Sequence, residues 1–375
     1  MTLSRRSFLG TLGAASTLTA MTPWQALASP EPQRVRRAAG SDMALLNSNE
    51  NAYGMFPSAQ KAAMNAVTSA NRYPEPWELM ERLTAYHKLK QGQVITGYGS
   101  SEHIAMAMHA FTGPGRKLVT ANPTFELAAM HAKMLGVQVV TVPLMSSYAH
   151  DLDGMLAKIG SDTGLVYICN PNNPTASITP RRDIETFLTK APKGTYVMID
   201  EAYHHFATDS PDYSSFIDHP VDDPRLIVAR TFSKVYAMAG MRLGYSVQAE
   251  AVSKKMQNWW VANNGNNVAL AAGLASINDD AAMHAAAARI VADRAEFTKQ
   301  AAARKLKVIP SHANFVMVES GRPVRDMISH FRKQNVAIGR PFPPMEQHVR
   351  ISLGLPNEME RFWQAWDMLP TVAKQ

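Results

Sequence analysis

Cysteine is nearly absent: the 375 residues hold one, Cys169. That excludes an intrachain disulfide and fits folding in a reducing compartment. Cys169 lies in an apolar, strand-like run, so it reads as a buried structural thiol rather than a nucleophile. No Cys/His group has zinc-ligand spacing, and His204-His205 reads as surface or satisfied histidine, so no metal is expected. No segment is apolar over the length needed to span a bilayer. The net charge of +7 is spread along the chain. Without a basic stripe carrying interleaved aromatics, a nucleic-acid partner is not expected. Internal repeats and low-complexity tracts are also missing.

The N-terminus has a pattern of its own. Ser4-Arg5-Arg6-Ser7-Phe8-Leu9 leads into a weakly apolar stretch and then Ala26-Leu27-Ala28. A charged n-region, an h-region and an A-x-A-like site in that order read as an export signal, and the paired arginines resemble the twin-arginine type. The expectation is a signal over residues 1–28, handled by the twin-arginine machinery, cleaved near Ala28 and leaving a periplasmic or secreted protein. A basic arm or a short anchor is the alternative. About 345 residues then remain, enough for one large or two modest domains.

Residues 29–44 are rich in Pro and Arg and read as extended. Helical periodicity follows at 55–69, with Ser58 as a candidate N-cap, and at 77–89. Short apolar runs at 117–120, 138–142, 164–169, 196–199, 226–229 and 244–247 then alternate with amphipathic stretches at 102–111, 126–135 and 181–190. Such alternation predicts an α/β fold with a mostly parallel sheet covered on both faces. Ala-rich helices at 268–277 and 281–306, a strand at 314–318, a helix at 324–334 and a strand at 350–352 predict a second, smaller α+β domain.

Lys234 carries the sharpest chemical signal. It stands in Arg230-Thr231-Phe232-Ser233-Lys234 after an apolar run, with Arg242 further on. A lysine amine forms a Schiff base with an aldehyde, while Thr231, Ser233 and Arg242 can hold a phosphate. Pyridoxal phosphate is an aldehyde cofactor of that kind. Other motifs supply partners, each with a plainer alternative. Asn173, in Asn170-Pro171-Asn172-Asn173-Pro174-Thr175, can donate to a ring hydroxyl or simply form a turn. Asp200, in Asp200-Glu201-Ala202-Tyr203, can pair with a pyridine nitrogen or cap a helix, and Tyr203 can join Asn173 at the hydroxyl. Gly97-Tyr98-Gly99-Ser100-Ser101 precedes a helix and can bind phosphate or merely cap it. Phe125 can stack on the ring or fill core. Arg350 offers a fork for a substrate carboxylate or a surface salt bridge, and Arg340 is a weaker second cation.

The order of these motifs resembles the class I/II, fold-type I aminotransferases, and most of all their histidinol-phosphate aminotransferase branch. Asn47-Ser48-Asn49-Glu50-Asn51-Ala52-Tyr53-Gly54 and Arg72-Tyr73-Pro74-Glu75 add to the likeness. The resemblance implies a large cofactor domain over 71–265, a small domain over 266–375, and a segment 29–70 packing with the latter. It makes Lys234 the Schiff-base lysine and proton shuttle, with Asp200 on the pyridinium and Asn173 and Tyr203 on the ring hydroxyl. Ser100, Ser101, Thr231, Ser233 and Arg242 hold the phosphate, and Arg350 the α-carboxylate. Tyr73 is implied to reach the neighbouring subunit's phosphate in a homodimer, and the segment ending at Gly54 to close over substrate. The implied reaction moves the α-amino group of an amino acid to a 2-oxo acid through a ping-pong pyridoxamine form. An exported lyase, racemase or oxidative deaminase on the same scaffold is the alternative. Four features depart from the pattern: Ala176 for Gly, Ala52 for Pro, Phe125 for Tyr, and a Trp259-to-Gly265 segment without its Pro-aromatic-Asn.

Overall fold

The computed structural model describes residues 42–261, 263 and 265–370. The expected export signal over 1–28, the expected cleavage near Ala28 and residues 29–41 lie outside the described residues. Twelve strands are described in chain order: β1 (Ala44–Leu46), β2 (Val94–Gly97), β3 (Lys117–Asn122), β4 (Val139–Pro143), β5 (Thr163–Cys169), β6 (Tyr196–Asp200), β7 (Leu226–Thr231), β8 (Gly244–Gln248), β9 (Lys307–Val308), β10 (Phe315–Glu319), β11 (Val336–Ile338) and β12 (His348–Ser352). Seven of them form one sheet in the order β2-β8-β7-β6-β5-β3-β4. Strands β3 to β7 pair in parallel, while β8 runs antiparallel to both β7 and β2. The expected fold class, α/β with a mostly parallel sheet, is the one observed.

The strand sequences explain why both faces are covered. Val119, Val166, Ile168, Val197, Ile199 and Val228 belong to one buried cluster. Their neighbours Leu118, Leu165, Tyr167, Cys169, Met198, Ile227 and Ala229 belong to another. A strand sends successive side chains to opposite faces, so continuous apolar runs signal a sheet buried on both sides. Helix Arg181–Lys190 covers the first face through Ile184, Phe187 and Leu188, and helix Ser100–Phe111 covers the second through Ile104, Met108 and Phe111. Burying one such side chain contributes roughly 1.5–3 kcal/mol. Alternation also places Asp200, one residue past Ile199, on the face of Tyr167 and Cys169.

Further along, β12, β10 and β9 form an antiparallel sheet, and β1 pairs in parallel with β11. The strand pair β1/β11 brings residues near 47 to the end of the chain that carries Arg350. Helix Asp280–Ala303 starts at Asp279, whose carboxylate accepts from Ala282 N at 3.1 Å.

One expected cap is corrected. Helix Pro57–Ala66 is preceded by Phe56 as N-cap, and Pro57 takes the first helical position, which suits its fixed φ and missing N–H. Ser58 therefore lies inside the first turn, and its hydroxyl donates to Asp279 at 2.6 Å. Strands β1, β2, β9 and β11 and helices Leu152–Lys158 and Glu250–Gln257 were not expected. All are short, which leaves periodicity little to act on.

Candidate active site

Open parallel sheets bind ligands beyond the carboxyl ends of their strands, and the candidate residues gather there. Strand β7 ends at Thr231. Its hydroxyl accepts from Ser233 N at 3.1 Å and donates to Ser233 Oγ at 2.9 Å. That hydroxyl turn presents Lys234, whose Nζ donates to the Asn49 carbonyl at 3.0 Å. Burial, followed by the charge of Arg350, lowers the Lys234 amine to about 8. A lysine so depressed is partly a free amine near neutral pH, as a carbonyl nucleophile must be.

An anion cradle lies beside it. Arg242 sits in the left-handed region with φ 58°, and its Nη1 donates to Ser233 Oγ at 3.4 Å and to Ala239 O at 2.9 Å. Helix Ser100–Phe111 begins nearby. Gly99 has φ +71°, and a Cβ there would stand 2.5 Å from Arg242 Nη2. A Cβ on Gly244 would come 2.5 Å from the backbone of Gly99 and Ser100. Both positions need glycine for the start of β8, the helix N-terminus and the guanidinium to come together. The start of helix Ser100–Phe111, with Ser100 and Ser101 in its first turn, thus lies against the Arg242 guanidinium, and a helix N-terminus beside a cation suits a phosphate.

Asp200 ends β6 with only 1% of its surface exposed. Its Oδ2 accepts from the Tyr167 hydroxyl at 2.8 Å and its Oδ1 from Ala202 N at 3.0 Å. Burial raises the carboxyl to about 6 against these hydrogen bonds and the Lys234 charge. Among the described residues Asp200 forms no ion pair. A buried carboxylate that lacks a cation fits a protonated pyridine nitrogen.

Arg350, on β12, is buried. Its Nη1 donates to Asn173 Oδ1 at 2.7 Å and its Nη2 to Asn47 O at 2.8 Å, while Nε has no protein partner. Burial lowers its guanidinium to about 10. A buried guanidinium with a spare donor fits a carboxylate. Asn173 spends its oxygen on Arg350 and keeps its amide N–H groups for another acceptor. The Tyr203 hydroxyl accepts from Asn49 Nδ2 at 3.1 Å, and burial raises its own titration. Phe125 packs against the cluster of Tyr167 and Cys169, on the Asp200 side of the sheet. Gly54 adopts φ +81° with open space around it. Arg340 pairs with Glu126, and its Nη1 donates to Pro341 O at 2.9 Å. Tyr73 stands apart, 79% exposed in this single chain.

Three residues escaped the sequence reading of roles. Tyr167 orients Asp200, Glu126 holds Arg340, and Asn49 joins Lys234 to Tyr203. Asn49 has φ 54°, and Asn314 Nδ2 donates to its carbonyl at 3.0 Å. The signal for Tyr167 was available, since a Tyr in an otherwise aliphatic buried strand needs a partner for its hydroxyl. His204 Nε2 lies 3.3 Å from Asp218 and His205 Nε2 3.5 Å from the Tyr236 hydroxyl. No metal-ligand cluster occurs among the described residues.

Residues 41–365 match the family of class I and II aminotransferases, and the chain belongs to that family. Histidinol-phosphate aminotransferase 1 of Cupriavidus pinatubonensis is 39% identical over 238 residues, which cover 63% of this chain and 63% of that protein. The chain thus spans less than two thirds of that relative's length. The histidinol-phosphate aminotransferase of Shouchella clausii is 32% identical over 280 residues, covering 74% of this chain and 76% of that protein. Among solved structures, the histidinol-phosphate aminotransferase of Sinorhizobium meliloti in complex with pyridoxal-5'-phosphate superposes with a TM-score of 0.84. It is 26% identical and covers 94% of this chain and 97% of that one. The architecture is that of a fold-type I transferase.

Proposed function

We propose that the protein is an aminotransferase that carries pyridoxal phosphate on Lys234 and moves the α-amino group of an amino acid to a 2-oxo acid. One observation carries the reading: the Lys234 amine interacts electrostatically both with Arg242 of the anion cradle and with Asp200, a buried carboxylate that forms no ion pair among the described residues. Pyridoxal phosphate, when bound, supplies an aldehyde for amine exchange and a ring that accepts electrons from the substrate α-carbon.

The chain's own residues do the rest. Ser100, Ser101, Thr231, Ser233 and Arg242 bind the phosphate and fix the register of the ring. Asp200 accepts from the ring N–H and keeps that proton in place, which strengthens the ring as an electron acceptor. Asn173 donates to the ring hydroxyl and Tyr203 hydrogen-bonds it, while Phe125 covers one ring face. Arg350 binds the α-carboxylate and so aims the α-hydrogen at Lys234 Nζ. The Lys234 amine would take that proton at Nζ and hold it for return, acting as the base and then the acid of the exchange. An amine near 8 suits both transfers at neutral pH.

The active unit in this reading is a homodimer, with Tyr73 of each chain serving the other's phosphate. The exposure of Tyr73 supports it, as does that of Met64, Val67, Trp77, Trp259 and Val261 on adjoining segments. Asn267 Nδ2 donates to Arg72 O at 2.8 Å, and Trp77 meets Trp260 edge-on at 6.3 Å, so Arg72 and Trp77 adjoin Trp260 and Asn267. An apolar patch of this kind marks an interaction site. The paired arginines at Arg5-Arg6 support export by the twin-arginine route to the periplasm or beyond.

The test is the visible spectrum of the purified protein, before and after amino acids are added without any oxo acid. A yellow form that converts to a stable pyridoxamine form supports transamination. A yellow form that persists while ammonia appears indicates a lyase or oxidative deaminase instead. Lys234→Ala should abolish turnover, and retention of full activity would overturn the reading.

A further inference from the structure

The substrate side of the site holds two arginines, and they are not equivalent. Arg350 meets neutral partners only, Asn173 Oδ1 and the Asn47 carbonyl. Arg340 is already paired with a carboxylate, that of Glu126. Both guanidiniums lie on one aromatic ring: Arg340 Cζ is 4.3 Å and Arg350 Cζ 4.6 Å from the centroid of Phe342. Phe342 is buried with Ile309, Met317 and Met345, so the ring is a fixed spacer. Glu126 directly follows Phe125 in sequence and precedes helix Leu127–Met134. The pair therefore joins the end of the large sheet to the segment after β11.

Charge counting gives the consequence. A substrate carboxylate on Arg350 neutralises that cation. Arg340 is neutralised by Glu126 before any substrate arrives. A second anionic group on the substrate would have to displace Glu126 or lie beside it, and like charges repel at contact distance even where, as here, the pair is part exposed (side chains 30% and 43%). Arg350 responds to both neighbours, its guanidinium being disfavoured by Arg340 and favoured by Glu126, so the three charges interact across the ring.

We propose that Glu126 sets the substrate class: by holding Arg340 it admits amino acids with uncharged side chains and disfavours those carrying a second carboxylate or a phosphate. This rests on the reading of Arg350 as the α-carboxylate binder.

Inert acids test it without any need for turnover. Pentanoate and glutarate have the same carbon chain, and the second ends in a carboxylate where the first has a methyl. Calorimetry on the holoenzyme should show pentanoate binding about tenfold or more tightly over glutarate. Glu126→Gln should shift the ratio toward glutarate by about tenfold, and Glu126→Asp should restore most of the original preference. In the double variant Glu126→Gln/Arg340→Leu the gain for glutarate should vanish. If Glu126 only braces the fold, Glu126→Gln will lower the melting temperature and leave the ratio unchanged, which overturns the inference. Equal binding of the two acids by the wild-type protein overturns it as well. Failure of the aminotransferase reading shows separately, as an absent half-reaction with every amino acid.

Discussion

The Tyr167 hydroxyl donates to Asp200 Oδ2 across 2.8 Å, from one strand of the large sheet to the next. Cys169 is the register partner of Asp200 in the β5/β6 ladder, so Tyr167 is its diagonal neighbour two residues back. A diagonal of that kind is within reach of an aromatic side chain. The contact fixes one carboxylate oxygen and leaves the other with Ala202 N, so the group has one orientation.

Tyr167→Phe should keep the core filled and remove only the hydroxyl. A hydrogen bond to a charged group contributes about 1.5–3 kcal/mol. Affinity of the apoprotein for pyridoxal phosphate should fall about tenfold, because Asp200 loses the bond that lowers its titration. The melting temperature of the apoprotein should fall by only a few degrees, since the core stays filled. Fluorescence titration with the cofactor reads the first and a thermal scan the second. An unchanged affinity would show that Tyr167 merely fills space.

Much of this was legible in the chain, and the reasons differ by residue. Lys234, Asp200 and Arg242 announce themselves because charged groups beside apolar strand runs require a purpose. Strands β3, β5, β6 and β7 are legible because their apolar runs are continuous. Tyr167 and Asn49 were not assigned roles because each acts through a register or a distant contact. Asn49 meets Tyr203 and Lys234 at sequence separations of 154 and 185 residues. Glu126 was hidden for the same reason, since nothing local ties it to Arg340. The direction of β8 was equally out of reach, because an apolar run carries no sign of whether it pairs parallel or antiparallel.

Asp200 makes the stability of the apoprotein depend on pH. Its carboxyl is raised by burial from 3.8 to about 6. A group with a raised folded pKa binds protons more tightly when folded, so its contribution is full below about pH 4 and is lost as pH rises through about 6. Two pH units correspond to about 3 kcal/mol. Asp200→Asn should therefore gain on the wild-type apoprotein between pH 4 and pH 6.5, by chemical denaturation at several pH values. Cofactor should reverse the difference, since a ring N–H gives the carboxylate its missing partner. A wild-type-minus-variant difference that stays flat with pH would refute this account.

Arg350→Lys tests the substrate fork. A lysine keeps the charge but cannot reproduce the two Nη donors that now reach Asn173 and Asn47. Amino-donor KM should rise about tenfold to a hundredfold, from loss of a charge-assisted bidentate bond. Cofactor affinity should fall far less, about threefold or under, since the phosphate partners are untouched and Asn173 loses only the donor on its amide oxygen. Steady-state kinetics with one donor and one acceptor, next to a cofactor titration, would separate the two effects. An equal loss in both would move Arg350 from the substrate to the cofactor.

The last prediction concerns a buried ionic network that supports the site without touching its ligands. Glu201 follows Asp200, and its Oε2 accepts from Arg230 Nε at 3.1 Å and from Ser215 Oγ at 2.7 Å. Arg230 also donates to Asp218 Oδ2 at 3.0 Å. Hydrogen bonding from His87 and the charge of Arg230 outweigh partial desolvation and hold Asp218, whose side chain is 38% exposed, well below the usual carboxylate range. The side chains of Arg230 and Glu201 are 4% and 1% exposed, so Glu201 depends on Arg230 for its counter-charge, while Arg230 also has Asp218. Removing one partner of such a pair costs about 3–5 kcal/mol, because the remaining charge is buried alone. Arg230→Ala should therefore unfold at much lower denaturant concentration. Burial already raises Glu201 and Arg230 opposes the shift, so in the variant the carboxyl rises further and is kept protonated at mild acidity. The defect should be smaller at pH 5 than at pH 8, the direction expected of a raised folded pKa. Arg230→Met combined with Glu201→Leu should recover part of the lost stability, since no charge is then left unpaired at this contact. Turnover per folded active site, counted by the bound cofactor, should be nearly normal in whatever fraction folds. If turnover fell while stability held, the network would be tuning Asp200 rather than bracing the two strand ends that carry Asp200 and Lys234.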